Sequence, residues 1–406
     1  MTSQQQAPLT RFPPPRDRQY PLDPPPELLR RLDEEPISKM QTWDGKQVWV
    51  VTRYEDGRAI LADERFSVDP TVPGFPEKNI AYLNTIGQDR NIRTIDNPEH
   101  DRQKRMMIQD FTVKRVAEIR PAVQTLVDQL IDDMLEREAP VDLIEHLAIP
   151  VPTTVICELL GVPYSDRDFF GERAKALLAA PTAEAAKVAG AEMTEYVEHL
   201  IDLKIAKAGN DLVSRMVHQH VLPGTYARAD LVSLCRLLLT AGHDTTTGMI
   251  GLSVLALLRH PDQLRELKES DDPAFVANCV EEFLRYLGTT HAGRRRVALT
   301  DVEVAGHTIH ANEGVIVLNN VMDRDDAVFA DPNRLDLHRT NTRVHTAFGY
   351  GIHQCPGQLL ARMELHVVHS TLWKRVPTLT LAVPMQELHF FEDGSNYEVT
   401  TLPVTW

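Results

Sequence analysis

Helix outweighs strand among the elements this chain predicts, on three observations. Residues 112–222 run as successive amphipathic helical patterns, punctuated by Pro140, Pro150, Pro152, Gly161-Val162-Pro163 and Gly209-Asn210. Asp230 to Arg259 is the longest unbroken helical pattern. Strand-like sequence is confined to short stretches, chiefly Gln47 to Thr52, Val302 to Leu318 and the C-terminal segment Leu379 to Trp406.

From the N-terminus, residues 1–26 read as an extended or polyproline-like lead-in. Glu27 to Glu34 follows as a short helix stopped by Pro36. Gln47-Val-Trp-Val-Val-Thr52 is β-branched and aromatic, hence a strand, with Asp44-Gly45 as a hairpin turn before it. Tyr54 to Ala62 is a helix. Asp69 to Pro98 carries Pro70, Pro73, Gly74, Pro76 and Gly87 without a sustained period, and so long a loop inside a compact domain is usually functional. Its apolar residues Phe75, Ile80, Tyr82, Leu83 and Ile86 argue against a disordered surface loop. Asn97-Pro98-Glu99-His100 opens a basic helix, Asp101 to Phe111, and His100 and Lys104 share one face.

In the middle of the long helix stands Ala241-Gly242-His243-Asp244-Thr245-Thr246. Recurring charged and polar residues make this a buried core helix rather than a membrane span. The small pair lets the helix pass close over a flat ligand, and a hydroxyl beside a carboxylate can handle protons in a dry pocket. Thr245 can bond the carbonyl of Ala241 and bend the helix. Leu237, Ala241 and Thr245 lie on one row at i, i+4, i+8. Further on, Glu282 and Arg285 share a helical face. Strand alternation sets Arg294 and Arg296 on one side. Gly306 and Gly314 are turn points between short strands, and Glu392-Asp393-Gly394-Ser395-Asn396 is a turn in the C-terminal segment.

The stretch Thr346 to Arg362 reduces to Phe348-Gly349-x-Gly351-x-His353-x-Cys355-x-Gly357 and runs into a helical pattern, Gln358 to Trp373. A thiolate that binds a metal needs a rigid loop, backbone N–H groups aimed at sulfur and no bulk between sulfur and metal. Gly349, Gly351 and Gly357 offer backbone freedom and close approach. The positive end of the next helix favours the anion at Cys355. Phe348 and a cation-capable His353 suit an apolar macrocycle with acidic substituents.

This loop resembles the haem-binding loop of the cytochrome P-450 family. The Ala241–Thr246 stretch resembles that family's oxygen-activation motif, Glu282-x-x-Arg285 its structural Glu-x-x-Arg, and the basic helix its haem-side helix. The four motifs stand in the family's order over essentially the whole chain from about residue 20. The resemblance, rather than periodicity, implies the fold class: mainly α with a minor β region, one triangular-prism-like helical domain over residues 27–406 behind the lead-in. It implies haem b (iron protoporphyrin IX) held by the Cys355 thiolate, with His100, Lys104, Ala241, Arg296, Phe348, His353 and Gly357 around it. Arg294 is the reserve for Arg296 at a propionate. Lys104 stands where arginine is frequent, which makes that contact less directional. A third arginine, Arg334 or in second place Arg339, would join Glu282 and Arg285 in a buried ion cluster shaping the cysteine loop. By the same analogy Asp69–Pro98 covers the distal pocket. Its substrate-facing residues would be Phe75, Tyr82, Ile95, Leu237, Leu238, Thr290 and His291.

The implied activity is a monooxygenase that reductively activates dioxygen and inserts one oxygen atom into a medium-sized lipophilic molecule. Asp244 and Thr245 are its catalytic pair, Asp244 relaying protons inward. No flavin or iron–sulfur motif follows, so a ferredoxin with its reductase supplies electrons, docking on Arg102, Lys104, Arg105 and Arg362. Composition agrees. A net charge of −15 excludes nucleic acid and anionic membrane surfaces as natural partners. Cys157, Cys235, Cys279 and Cys355 are spaced neither as a disulfide framework nor as a zinc site, which fits a reducing cytoplasm. The first forty residues hold no apolar run for an anchor. The expectation is thus a soluble, monomeric, bacterial-type enzyme of secondary or xenobiotic metabolism. Two alternatives stand beside it. One is a haem-thiolate nitric oxide reductase, against which Asp244 argues because that group lacks the acid before the threonine. The other is a haem sensor, which needs no acid–alcohol pair.

Overall fold

The computed structural model describes residues 10–78, 90–166, 169, 172–173, 183–391 and 396–406. Helix α1 (Pro26–Glu34) starts on a proline, whose missing N–H is no loss in a first turn. Strands β1 (Ile37–Gln41) and β2 (Gln47–Val51) pair antiparallel around a turn in which Gly45 takes φ +82°. β1 is not legible in the sequence, because Ser38 and Lys39 break its alternation. α2 (Tyr54–Ala62) and β3 (Phe66–Ser67) follow. α3 (Glu99–Met107) closes with a 3₁₀ turn, Ile108–Phe111, where a single helix to Phe111 was expected.

The helical layer is α4 (Val113–Leu135), α5 (Pro150–Leu160), α6 (Ala183–Ala206), α7 (Leu212–Met216), α8 (Arg228–Arg259), α9 (Pro261–Glu269) and α10 (Pro273–Leu287). A four-residue α11 (Asn319–Met322) and α12 (Gln358–Arg375) complete it. The second half of α8 is buried on every side from Thr246 to Leu257, the behaviour of a helix that is apolar all round. Gly242 lets α8 close on α5: a β-carbon there would stand 2.4 Å from Ile156 Cδ1.

The remaining strands are short: β4 (Val141–Asp142), β5 (Arg294–Ala298), β6 (Val302–Val304), β7 (His307–Ile309), β8 (Gly314–Val317), β9 (Thr380–Leu381), β10 (Phe390–Phe391), β11 (Glu398–Val399) and β12 (Pro403–Thr405). The largest sheet runs β1-β2-β8-β5-β3, with β2 and β8 parallel. β5 pairs antiparallel with β8, Arg294 opposite Val317 and Arg296 opposite Val315, and this carries both arginines to the cavity described below.

The main apolar core joins the inner faces of α4, α5, α8, α10 and α12, and two smaller cores lie on the two sides of the large sheet. Residues 10–25 lie on the body rather than trailing from it, since Phe12 and Leu22 are both buried. Among the described residues no helix is long and apolar enough to cross a membrane.

Candidate active site

The cysteine loop is shaped by two glycines. Gly349 and Gly351 both take φ +76°, and a β-carbon on Gly351 would come 2.4 Å from Leu61 O, so the loop rests directly on the end of α2. Gly357 takes an ordinary φ of −78°; its value is the open space beside sulfur, since a β-carbon there would stand 3.8 Å from Cys355 Sγ. Cys355 N donates to Phe348 O at 2.9 Å, closing the loop. Burial pushes the Cys355 thiol up. Arg294, backbone hydrogen bonds from Gly357 and Gln358 at the start of α12, and Arg362 act in the opposite sense.

Across the cavity lies α8, presenting Leu237, Leu238, Ala241, Gly242, Thr245 and Thr246. Thr245 Oγ1 donates to Ala241 O at 2.9 Å. Asp244 lies one step round the helix and does not line the cavity; its carboxylate sits 3.2 Å from His243 Nδ1. Burial raises its pKa against the pull of His243 and Lys78. Glu398 of β11 lies against Gly248, one turn along the same face, and is pushed up to about 7 by burial and by Asp244.

Four cationic side chains line the cavity, Arg93, Lys104, Arg294 and Arg296, and none has a carboxylate partner among the described residues. Lys104 Nζ donates to Ile352 O at 2.5 Å, Arg294 Nη2 to Ala347 O at 3.1 Å and Arg296 Nη1 to Arg295 O at 2.9 Å. His100 and His353 stack obliquely, ring centres 4.2 Å apart. His353 is pulled down to about 2 by burial, Arg296, His100 and Lys104.

The ion cluster behind the loop also departs from expectation. Glu282 and Arg285, both fully buried, pair at 2.7 Å, and the third arginine is Arg339, at 3.2 Å from Glu282 Oε2. Arg334 gives only its backbone carbonyl, which accepts from both arginines, while its side chain is exposed. In this run of turns Leu335, Leu337 and Arg339 are the buried side chains. That alternation was the signal available in the sequence. A second cluster went unread: Glu281 binds His345 at 3.0 Å and Arg362 at 2.7 Å, which hold it down at about 2 despite burial. Asp323 accepts from Thr346 N at 2.7 Å and fixes where the cysteine loop begins.

Of the expected pocket residues, Leu237, Leu238 and Thr290 line the cavity. Tyr82 lies outside the described residues. Three others are corrected. Phe75 is held away because Gly74 packs against Asn312 O near the start of β8, where a β-carbon would be 1.7 Å from that oxygen. A turn closed by Thr94 N on Asn91 O instead sends Ile92 and Arg93 to the cavity and Ile95 into the core. His291 is buried beside the ring of Tyr397, 6.0 Å away. Sequence reasoning missed Arg93, Asn319, Asn320 and Glu364, all cavity-lining. The expected docking patch is also thinner: Lys104 faces the cavity, Arg362 holds Glu281 and Arg102 holds Glu99, which leaves Arg105 exposed.

A flat macrocycle with a metal centre and acidic edges fits this arrangement. Sulfur with backbone donors stands on one side, a small-residue helix face on the other, and cations without carboxylate partners on the rim. The comparisons agree. A family model described as Cytochrome P450 matches residues 186–376. The cytochrome P450 GfsF of Streptomyces halstedii is 43% identical over 96% of this chain and 95% of its own, and the pentalenic acid synthase of Streptomyces avermitilis is 43% identical over 97% and 96%. The crystal structure of GfsF superposes with a TM-score of 0.92, covering 98% of this chain and all of that one at 42% identity. That of cytochrome P450 MoxA from Nonomuraea recticatena gives 0.91 at 45% identity, over 97% and 98%. Sequence and structure thus agree along nearly the whole length: this chain belongs to the cytochrome P450 family.

Proposed function

We propose that Asp244 and Thr245 deliver protons, and that the cavity between α8 and the cysteine loop orients a lipophilic substrate, in a haem-thiolate monooxygenase. The observation that carries this is Cys355 Sγ facing Thr245 across a largely apolar cavity, with Asp244 the preceding residue on the same helix. The enzyme is an oxidoreductase whose cofactor is haem bound through a cysteine thiolate. Haem, when bound, supplies reductive activation of dioxygen and insertion of one oxygen atom into the substrate.

Everything else falls to the chain. Cys355 would ligate the iron, with the N–H groups of Gly357 and Gln358 tempering the charge on sulfur. His100, Lys104, His353 and Arg296 would hold the propionates, and Phe348 and Ala241 would flank the cofactor. Thr245, whose hydroxyl is anchored on Ala241 O, would position a water at the helix groove. Asp244, set off the cavity beside His243, Lys78 and Glu398, would pass protons inward from solvent. The walls around Leu237, Leu238, Met249 and Ile156 exclude bulk water and favour an apolar substrate. A ferredoxin-type donor would dock on the cysteine side, where Arg105 is exposed. The catalytic unit is taken as one domain from residue 27, acting as a monomer in the cytoplasm. The relatives' names point to secondary metabolites as substrates. Haem-loaded, dithionite-reduced protein should show a red-shifted Soret band under carbon monoxide. Absence of that band in folded protein sinks the reading.

A further inference from the structure

β11 lies along α8, and two glycines of the helix make room for it. A β-carbon on Gly248 would stand 3.2 Å from Glu398 Cβ and 3.4 Å from Glu398 Oε2, and one on Gly251 would stand 3.1 Å from Val399 Cγ1. Both glycines therefore admit the strand close to the helix backbone. Gly248 is four residues on from Asp244, so the two positions share one face of α8. The Glu398 carboxyl accordingly lies over the turn next to Asp244, and neither acid lines the cavity. The strand is held there from outside the helix. Tyr397 N donates to Thr289 O at 2.7 Å, the Tyr397 ring stacks on Phe390 with centres 5.4 Å apart, and Arg16 Cζ lies 3.7 Å from the centre of the Tyr397 ring.

Glu398 is half-buried, and no hydrogen bond reaches its carboxyl among the described residues. Burial raises it to about 7, and the charge of Asp244 adds to that rise. Asp244 is itself raised by burial, against the pull of His243 and Lys78. The titratable groups around the two acids are few. α8 brings His243 beside Asp244, the segment before α3 brings Lys78 to the Asp244 side, and His291 lies behind Tyr397, 6.0 Å between rings. β10 faces Glu398 with Phe391, and residues 392–395 lie outside the described residues. Two carboxyls so placed resist joint ionisation, and near neutral pH they hold one proton between them.

We propose that Glu398 is the proton donor to Asp244, the outer member of an acid pair that feeds Thr245. This rests on the monooxygenase reading and adds a residue to its proton path. An O–H bond of Glu398 breaks as one forms on the Asp244 carboxylate, and water then returns a proton to Glu398, with no electron moved. Glu398 touches no substrate and acts through Asp244. The first test is infrared difference spectroscopy of the haem-loaded protein from pH 4 to 9. Subtracting Glu398→Gln from the parent should leave one protonated-carboxyl band, lost as pH rises through about 7. On an Asp244→Asn background the same subtraction should place that loss roughly one pH unit lower, because the neighbouring charge is gone. The second test is dioxygen uptake driven by NADPH through a plant-type ferredoxin and its reductase. The parent should run on the order of 10-fold faster than Glu398→Gln at pH 6.5, and the ratio should narrow toward one by pH 8.5 as Glu398 loses its proton. Glu398→Asp, which keeps a titratable group, should keep the pH dependence of the parent. A band lost near the ordinary 4.5, a midpoint unmoved by Asp244→Asn, equal rates at pH 6.5, or a ratio constant with pH each overturns the inference. The carbon monoxide band, read on the same samples, separates this failure from failure of the monooxygenase reading.

Discussion

The two walls of the cavity are satisfied in opposite ways. Behind the cysteine loop, charge meets charge: Glu282 with Arg285 and Arg339, and Glu281 with His345 and Arg362. Along the cavity rim, Arg294 Nε, Asn319 Oδ1 and both polar atoms of the Asn320 side chain are buried without partners. A satisfied network over-determines one loop conformation, whereas unsatisfied groups are tolerated where a ligand completes them. The cysteine is thus held by the wall that is finished, and ligands are received by the wall that is not.

The comparison breaks first, if it breaks, at Glu282. Its carboxylate is fully buried between two arginines, so Glu282→Ala leaves both uncompensated and should cost ~3–5 kcal/mol in urea unfolding of the haem-loaded protein. Arg334→Ala, which removes an exposed side chain from the same turn, should stay within about 0.5 kcal/mol. Similar losses for the two variants would show that the cluster is not what fixes the loop.

The next effect is kinetic and belongs to the opposite wall. Asp244→Asn keeps the shape beside His243 but cannot carry a proton, so turnover should fall by on the order of 100-fold with stability little changed. Thr245→Ala should instead keep consuming reductant while product per electron falls and hydrogen peroxide is released. If both variants give the wild-type product yield per electron, neither residue handles the protons.

These contrasts also show what the sequence could reveal. Local signals were legible: the glycine and cysteine spacing of 348–357, the i, i+4 row on α8, and the Glu282–Arg285 pair one turn apart. Partners distant in sequence were not. Nothing near Glu281 announces Arg362, some eighty residues away, and nothing near Asn91 says that the turn will aim Arg93 rather than Ile95 at the cavity. Arg339 lies between these cases. The sequence favours Arg334, although the alternating Leu335, Leu337, Arg339 row marks Arg339 as the inward side chain.

Glu364 sharpens the contrast between the walls through pH. It lines the cavity on α12, its Oε2 has no partner, and burial raises it from 4.5 to about 8. Between those values the unfolded chain has released this proton while the folded chain keeps it. Folding then loses stability from this group as pH rises, about 1.4 kcal/mol per pH unit. Asp323, raised to about 6, acts in the same direction up to that pH. Glu281, on the satisfied wall, does the reverse: depressed to about 2, it contributes in full above about 4.5 and its contribution is lost only as pH falls toward 2. Glu364 and, up to about pH 6, Asp323 therefore titrate against the fold, whereas Glu281 does not. Glu364→Gln should flatten this slope and gain on the parent protein as pH rises, measured by urea unfolding at pH 5.5, 6.5 and 7.5. A difference between the two proteins that does not vary with pH would mean that Glu364 is already ionised and paired, and that the cavity wall is less open than its unpartnered atoms indicate.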